Sequence, residues 1–181
     1  MNYFIQFLTY FRIFIGPVIF LLISLYNFYA WALFLFILAS FSDYLDGFLA
    51  RKYKLESTIG AVLDPIADKI LITFLILSLS IELSSLFIGM VGGLIIAREF
   101  WVAALRDLNA RRGTSESMKV TFLAKIKTTI QFCTFSLYIF GLFTNNSLIL
   151  FISDFFLFLA LIITIHTGIT YTVISFPSRR K

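Results

Sequence analysis

The sequence predicts an all-α, polytopic membrane protein with six transmembrane helices and both termini in the cytoplasm. Hydrophobic residues make up 60% of the 181 residues, and the mean hydropathy is +0.94. Soluble domains contain roughly 45–50% apolar residues. Long apolar stretches alternate with short polar connections, and basic residues occur in every second connection. These observations together predict the fold class.

Each apolar stretch has roughly the length of a membrane span, which is about 20 residues. The six stretches are residues 7–26, 30–50, 60–81, 86–107, 122–143 and 148–174. Backbone polar groups inside a bilayer need partners within their own segment, so the stretches are predicted to be helices. A chain of 181 residues has room for six or seven spans. One membrane domain over residues 1–181 is therefore expected, without a separate soluble domain.

The basic residues predict the orientation. Most of them lie in or beside the second and fourth connections and in the tail, at Arg51, Lys52, Lys54, Arg106, Arg111, Arg112, Lys119, Lys125, Lys127, Arg179, Arg180 and Lys181. The first, third and fifth connections contain no Lys or Arg. The positive-inside rule therefore places both termini in the cytoplasm, with a bacterial inner membrane expected. Topology and anionic lipids account for the net charge of +5, so no nucleic-acid partner is expected.

The first span carries one cation, Arg12, three residues after Thr9. Two interpretations of Arg12 are open. It is either an anchor whose side chain snorkels to the interface, or a residue of a functional site.

The second and third spans meet in an acidic stretch. It holds four of the ten acids in the chain, Asp43, Asp46, Asp64 and Asp68. Acids within membrane segments are costly and indicate a functional site. The spacings i, i+3 and i, i+4 put each pair on one helix face. Because no His or Cys accompanies them, the acids predict a site for hard divalent cations, Mg²⁺ or Mn²⁺ or Ca²⁺.

The same stretch resembles a family signature. It reads Asp43-x2-Asp46-Gly47-x2-Ala50-Arg51-x8-Gly60-x3-Asp64-x3-Asp68, and it is similar at each of its eight specified positions to the signature of the CDP-alcohol phosphatidyltransferases. The resemblance implies metal-dependent transfer of a phosphatidyl group from a CDP-linked lipid to an alcohol. It implies that Asp43, Asp46, Asp64 and Asp68 bind metal, with two Mg²⁺ or Mn²⁺ ions expected, and that Asp68 also acts as the general base. It further implies a CDP site formed by Asp43, Gly47, Ala50, Arg51 and Ser57.

The fourth and fifth spans carry four cations that are candidates for binding an acceptor phosphate, Arg98, Arg106, Lys125 and Lys127. The alternative role for Arg106, Lys125 and Lys127 is to set the orientation of the chain in the membrane. Arg98 lies deeper inside its span. Glu99 points about 100° away from Arg98 on a helix and is predicted to be a poor partner for it. The segments around Asp68, Arg98 and Lys125 resemble the phosphatidylglycerophosphate synthase branch of the family. That resemblance implies CDP-diacylglycerol and sn-glycerol 3-phosphate as substrates.

A glycine pair and a single cysteine are the remaining features of note. Gly89 and Gly93 form a GxxxG pair, which predicts close helix packing either within the bundle or in a homodimer. Cys133 is the single cysteine, so an intrachain disulfide is excluded, and it is expected to be buried.

Two alternative functions stay open. The first is the same chemistry on another acceptor, such as inositol phosphate, serine or a second phosphatidylglycerol. The second is a cation transporter or channel that uses the acids as its ion site. The acids lie at one predicted membrane face only, which favours the enzyme.

Overall fold

The computed structural model describes residues 2–53, 58–113 and 122–176, and within them the side chains of residues 7–43, 45, 63–113 and 126–176. The described residues form six α-helices and no strand. The helices are α1 Asn2–Ser24, α2 Tyr29–Tyr53, α3 Thr58–Glu82, α4 Leu86–Arg111, α5 Phe122–Thr144 and α6 Ser147–Ser175. Each coincides with one of the predicted segments. The largest difference is at the N-terminus, where α1 begins at Asn2 instead of residue 7.

Among the described residues, four helices have a membrane-spanning length and composition. Their apolar ranges are Phe7–Ser24, Leu86–Arg111, Ile126–Thr144 and Ser147–Ser175. The apolar part of α2 is shorter and ends at Asp43. The acids of α2 and α3 thus follow or interrupt the apolar runs of their helices. These helices and their apolar composition confirm the prediction of an all-helical integral membrane protein.

Three tight turns reverse the chain at one end of the bundle. Each contains one residue in the left-handed backbone region, Asn27 (φ 56°), Ser84 (φ 47°) or Asn145 (φ 49°). Ser85 and Asn146 then cap the following helices through side-chain oxygens that accept backbone N–H bonds. Such polar caps satisfy the first N–H groups of a helix. These short turns make α1–α2, α3–α4 and α5–α6 antiparallel neighbours.

The helices bury one face and expose the other. α1 packs on α2 and α3, α4 on α3 and α6, and α5 on α2 and α6. The shared core contains Ile19, Leu75, Leu79, Ile95 and Ile139. Large apolar side chains such as those of Phe14, Trp31, Met90, Phe151 and Phe155 are exposed on the outer surface. Such an apolar exterior suits a lipid environment.

The glycines of α4 differ in their surroundings. A Cβ at Gly89 would approach Ser80 Oγ to 2.9 Å, whereas a Cβ at Gly93 would meet nothing within 4 Å. Gly92 is the tighter position, because its Cβ would overlap the side chain of Ile76 on α3. The GxxxG pair therefore packs within the bundle through Gly89 alone.

The prediction for Cys133 was wrong. Its side chain is exposed on α5, because the rotation of α5 turns it outward while Thr134 and Phe135 face the core.

Candidate active site

Three helices meet at one arginine. Arg12 on α1 forms ion pairs with Asp43 on α2 and with Asp64 and Asp68 on α3. Arg12 Nη1 donates to Oδ1 of Asp43 and, at 2.6 Å, to Oδ1 of Asp68. Arg12 Nη2 lies 3.3 Å from Asp64 Oδ1. Three of the four carboxylates of the signature thus come together around a cation that the sequence did not pair with them.

Burial separates the cation from the acids around it. The Arg12 side chain is 0% exposed, while those of Asp43, Asp64 and Asp68 are 48%, 36% and 45% exposed. The guanidinium therefore forms the floor of the cluster, and the carboxylates form its accessible rim. This burial rules out Arg12 as a snorkelling interface anchor, because a snorkelling side chain carries its charge into water.

Thr9 extends the floor by one helical turn. Its Oγ1 donates to Asp64 Oδ1 at 2.6 Å, and the residue is 1% exposed. The i, i+3 spacing of Thr9 and Arg12 puts both on the face of α1 that packs against α3. The i, i+4 spacing of Asp64 and Asp68 presents both acids to that face. Local helix geometry thus explains why two residues of α1 meet two residues of α3.

The donor set at this cluster suits a hard divalent cation. Three carboxylates against one guanidinium leave an excess of negative charge at an accessible rim of oxygen atoms. Within the described part of the chain, no three Asp, Glu, His or Cys side chains are close enough to hold an ion as they stand. Asp43 and Asp68 instead turn one oxygen each toward Arg12. The chemistry of the ligands fits Mg²⁺ or Mn²⁺.

A second polar cluster joins α4 to α5. Glu99 Oε1 accepts from Arg98 Nη1 at 3.1 Å and also pairs with Lys127 Nζ. Arg98 and Lys127 are only 11% and 10% exposed. The prediction that Glu99 is a poor partner for Arg98 was wrong. Although the two residues leave the helix about 100° apart, the long guanidinium arm bends back to the carboxylate.

The last helix contributes residues that sequence reasoning missed. Arg98 Nη2 donates to Thr167 Oγ1 at 2.6 Å. Arg106 Nη2 lies 3.4 Å from the hydroxyl of Tyr171, and its guanidinium sits 5.3 Å from the ring centroid. One signal marked this face: small or hydroxyl residues recur at helical spacing along α6, at Thr164, Thr167, Gly168, Tyr171 and Ser175.

Gly168 lets Arg98 approach α6. A Cβ there would lie 3.1 Å from Arg98 Cγ and 3.2 Å from Arg98 Nε. The basic candidates Arg98, Arg106 and Lys127 thus occupy one region bounded by α4, α5 and α6.

The remaining predicted site residues lie outside the described side chains. Asp46, Gly47, Ala50 and Arg51 belong to the last part of α2, and Lys125 to the first turn of α5. Ser57 precedes α3 and lies outside the described residues.

Comparison with known proteins identifies the family. The family model described as CDP-alcohol phosphatidyltransferase matches residues 5–168. The chain belongs to the CDP-alcohol phosphatidyltransferase family. The match covers both polar clusters except Tyr171, so the family assignment rests on the part of the chain that builds the candidate site.

Individual relatives carry a more specific name. The chain is 39% identical over 171 residues to a protein of Rickettsia felis, with 92% of this chain and 91% of the relative aligned. It is 38% identical over 171 residues to one of Rickettsia typhi, covering 92% and 93%. A protein of Sodalis glossinidius is 36% identical over 128 residues, covering 68% and 69%. Each is named CDP-diacylglycerol–glycerol-3-phosphate 3-phosphatidyltransferase.

Proposed function

We propose that this protein transfers a phosphatidyl group from CDP-diacylglycerol to sn-glycerol 3-phosphate, giving phosphatidylglycerol phosphate and CMP in phospholipid biosynthesis. The names of its relatives support this substrate pair. The observation on this chain that carries the proposal is the convergence of Asp43, Asp64 and Asp68 at a half-exposed rim. A cluster of carboxylates with excess negative charge suits metal-dependent phosphoryl chemistry.

The residues that would hold metal are Asp43, Asp46 and Asp64, with Asp68 at the edge of the cluster, and the site would take two Mg²⁺ or Mn²⁺ ions. Bound divalent ions supply neutralisation of the pyrophosphate and stabilisation of the departing CMP. The half-exposed oxygens at the rim support this assignment, because a metal ion can reach them while Arg12 keeps its buried position.

Asp68 acts as the general base in this proposal. Its carboxylate takes the proton from the 1-hydroxyl of glycerol 3-phosphate, and that oxygen forms a bond to the phosphorus attached to diacylglycerol. The bond from this phosphorus to the CMP oxygen breaks, and CMP leaves with the electron pair. A base must lie within hydrogen-bond reach of the proton it takes, and the 45% exposed side chain of Asp68 is open to such an approach.

The substrates divide between the two clusters. Asp43, Gly47, Ala50, Arg51 and Ser57 bind the CDP group. Arg98, Arg106, Lys125 and Lys127 bind the acceptor phosphate, since guanidinium and ammonium groups donate strong hydrogen bonds to phosphate oxygens. The supporting observation is that Arg98 and Lys127 lie on adjacent helices and share Glu99, which holds two cations in one region despite their mutual repulsion.

The proposed topology has six spans in one domain over residues 1–181, with both termini and the active site in the cytoplasm and a homodimer as the assembly.

A Cys133→Ala background permits a direct test of the topology. Single cysteines at Asn27, Ser84 and Asn145 should react with a membrane-impermeant maleimide added outside intact cells. Protection of all three until the cells are lysed would contradict this orientation.

Release of CMP tests the proposed reaction. Purified protein in detergent would receive CDP-diacylglycerol and Mg²⁺, with glycerol 3-phosphate, inositol phosphate or serine offered separately. We expect release with glycerol 3-phosphate alone, and its loss in EDTA. Release with another acceptor would overturn the acceptor assignment but keep the chemistry. A folded protein that releases no CMP with any acceptor would contradict the proposed activity and favour a role in cation transport.

A further inference from the structure

We infer that Arg12 is a positioning residue that acts as a built-in internal cation: it fixes the three carboxylates of α2 and α3 in the arrangement that turnover requires. This inference rests on the proposed function and assigns a role to a residue outside the aspartate signature. Arg12 lies on α1, whereas every residue of that signature lies between 43 and 68.

The contacts of Arg12 support this role. Its guanidinium reaches Asp43, Asp64 and Asp68, which come from two helices. One terminal nitrogen, Nη1, bridges Asp43 and Asp68. The other terminal nitrogen, Nη2, faces Asp64. The planar fork of a guanidinium keeps Nη1 and Nη2 at a fixed separation, so it can fix Asp64 relative to Asp43 and Asp68 in a way that a single ammonium cannot. Thr9 fixes Asp64 from the same face of α1.

Burial determines how Arg12 can act. Because its side chain is 0% exposed, it has no surface for substrate, and it affects the reaction through the acids above it. An arginine also keeps its charge in a protein interior, since its guanidinium is not deprotonated there. The cluster therefore contains a permanent positive charge before any divalent ion arrives. That charge lowers the repulsion among the acids, which would otherwise force them apart.

Removing this charge should strengthen metal binding and slow turnover. Without Arg12, the three acids attract Mg²⁺ more strongly, because the neighbouring positive charge is gone. The carboxylates also lose the donor that aligns them, so turnover should fall. Loss of a group that orients metal ligands typically lowers metal affinity or activity by about 10- to 100-fold, and at Arg12 the removal of the positive charge offsets the effect on affinity. A residue with a merely structural role would weaken stability, metal binding and turnover together.

The test compares Arg12→Gln, Arg12→Lys and the control Arg111→Gln. Arg111 offers the same chemical change at an exposed pair with Asp107, where the side chains are 77% and 62% exposed, and exposed pairs contribute little. Each protein would be purified in the same detergent. Melting temperature would be followed from EDTA through a Mg²⁺ titration, and CMP release would be measured with CDP-diacylglycerol and glycerol 3-phosphate.

We expect Arg12→Gln to melt below wild type in EDTA, to gain more stability from Mg²⁺ at a lower half-saturating concentration, and to turn over about 10- to 100-fold more slowly. Arg12→Lys, which keeps the charge without the fork, should match the wild-type Mg²⁺ titration but not its turnover. Arg111→Gln should match wild type in every measurement.

Two results would overturn the inference: turnover of both Arg12 variants within about threefold of wild type, or an equal fall in their melting temperature with and without Mg²⁺. If Arg12→Gln does not fold, the turnover and the melting temperature of Arg12→Lys alone are judged by the same two criteria. Loss of activity in wild type itself would instead count against the proposed function.

Discussion

Thr167 on α6 accepts a 2.6 Å hydrogen bond from Arg98 on α4. This contact links a helix outside the aspartate signature to the proposed acceptor site. Arg98 uses its other terminal nitrogen for Glu99, so Thr167 and Glu99 together fix the plane of the guanidinium. The orientation of that plane determines which donors remain available to an acceptor phosphate.

Replacing Thr167 should therefore weaken acceptor binding. Thr167→Val keeps the shape of the side chain but removes the oxygen that Arg98 contacts. Leaving a buried donor without its partner costs about 1–3 kcal/mol. We expect a KM for glycerol 3-phosphate raised about tenfold, with a smaller change in kcat, measured by CMP release. Thr167→Ser keeps the hydroxyl and is the matched control. Equal KM values for the two variants would show that the hydroxyl does not position Arg98.

Asp43 should control metal-dependent binding. Asp43→Asn retains the side-chain volume and removes one negative charge from the rim. Loss of that charge should weaken Mg²⁺-dependent binding of CDP-diacylglycerol on the order of 10- to 100-fold. A Mg²⁺ titration of binding in detergent measures the effect.

Asp107→Asn provides the control for this charge change, because Asp107 lies on the surface of α4, where it pairs with the exposed Arg111. An unchanged Mg²⁺ dependence in Asp43→Asn would remove Asp43 from the proposed ligands.

Neighbouring glycines on α4 give a test of the packing. Gly92→Ala would drive a methyl group into Ile76, which is 3% exposed and cannot move freely. Overpacking of this kind costs about 1–3 kcal/mol. Gly93→Ala meets nothing within 4 Å and should gain up to about 1 kcal/mol from helix propensity. Melting temperatures in detergent should fall for the first variant and hold or rise for the second. The reverse order would contradict the rotation of α4 described here.

Much of the acidic cluster was predictable from the sequence because the residues of each acidic pair are close to one another in the sequence. Asp64 and Asp68 lie one turn apart, so any helix presents them on one face. The cost of acids in an apolar segment then marks that face as functional. The six helices were predictable for the same reason, since each long apolar run is continuous in sequence.

The partners of the cations were not predictable because they depend on the rotation and packing of whole helices. Nothing near Arg12 in sequence indicates that α1 turns it toward Asp43, which is 31 residues away. Glu99 was misjudged because helix geometry gives the direction of Cβ, while a long arginine side chain can fold back from it. Thr167 resembles many hydroxyl residues that bond their own helix, as it also does to Ile163 O.

The most direct test of the account is Asp68→Asn, assayed for both turnover and binding. The variant keeps the size of the side chain and removes its capacity to take a proton. We predict that CMP release with glycerol 3-phosphate and saturating Mg²⁺ falls by about 10²- to 10⁴-fold. Mg²⁺-dependent binding of CDP-diacylglycerol should be largely retained, because Asp68 is proposed to lie at the edge of the metal cluster, whereas Asp43 is proposed to be a central ligand. Near-normal CMP release from Asp68→Asn would contradict the assignment of Asp68 as the base and, with it, the proposed mechanism at the α1–α2–α3 cluster.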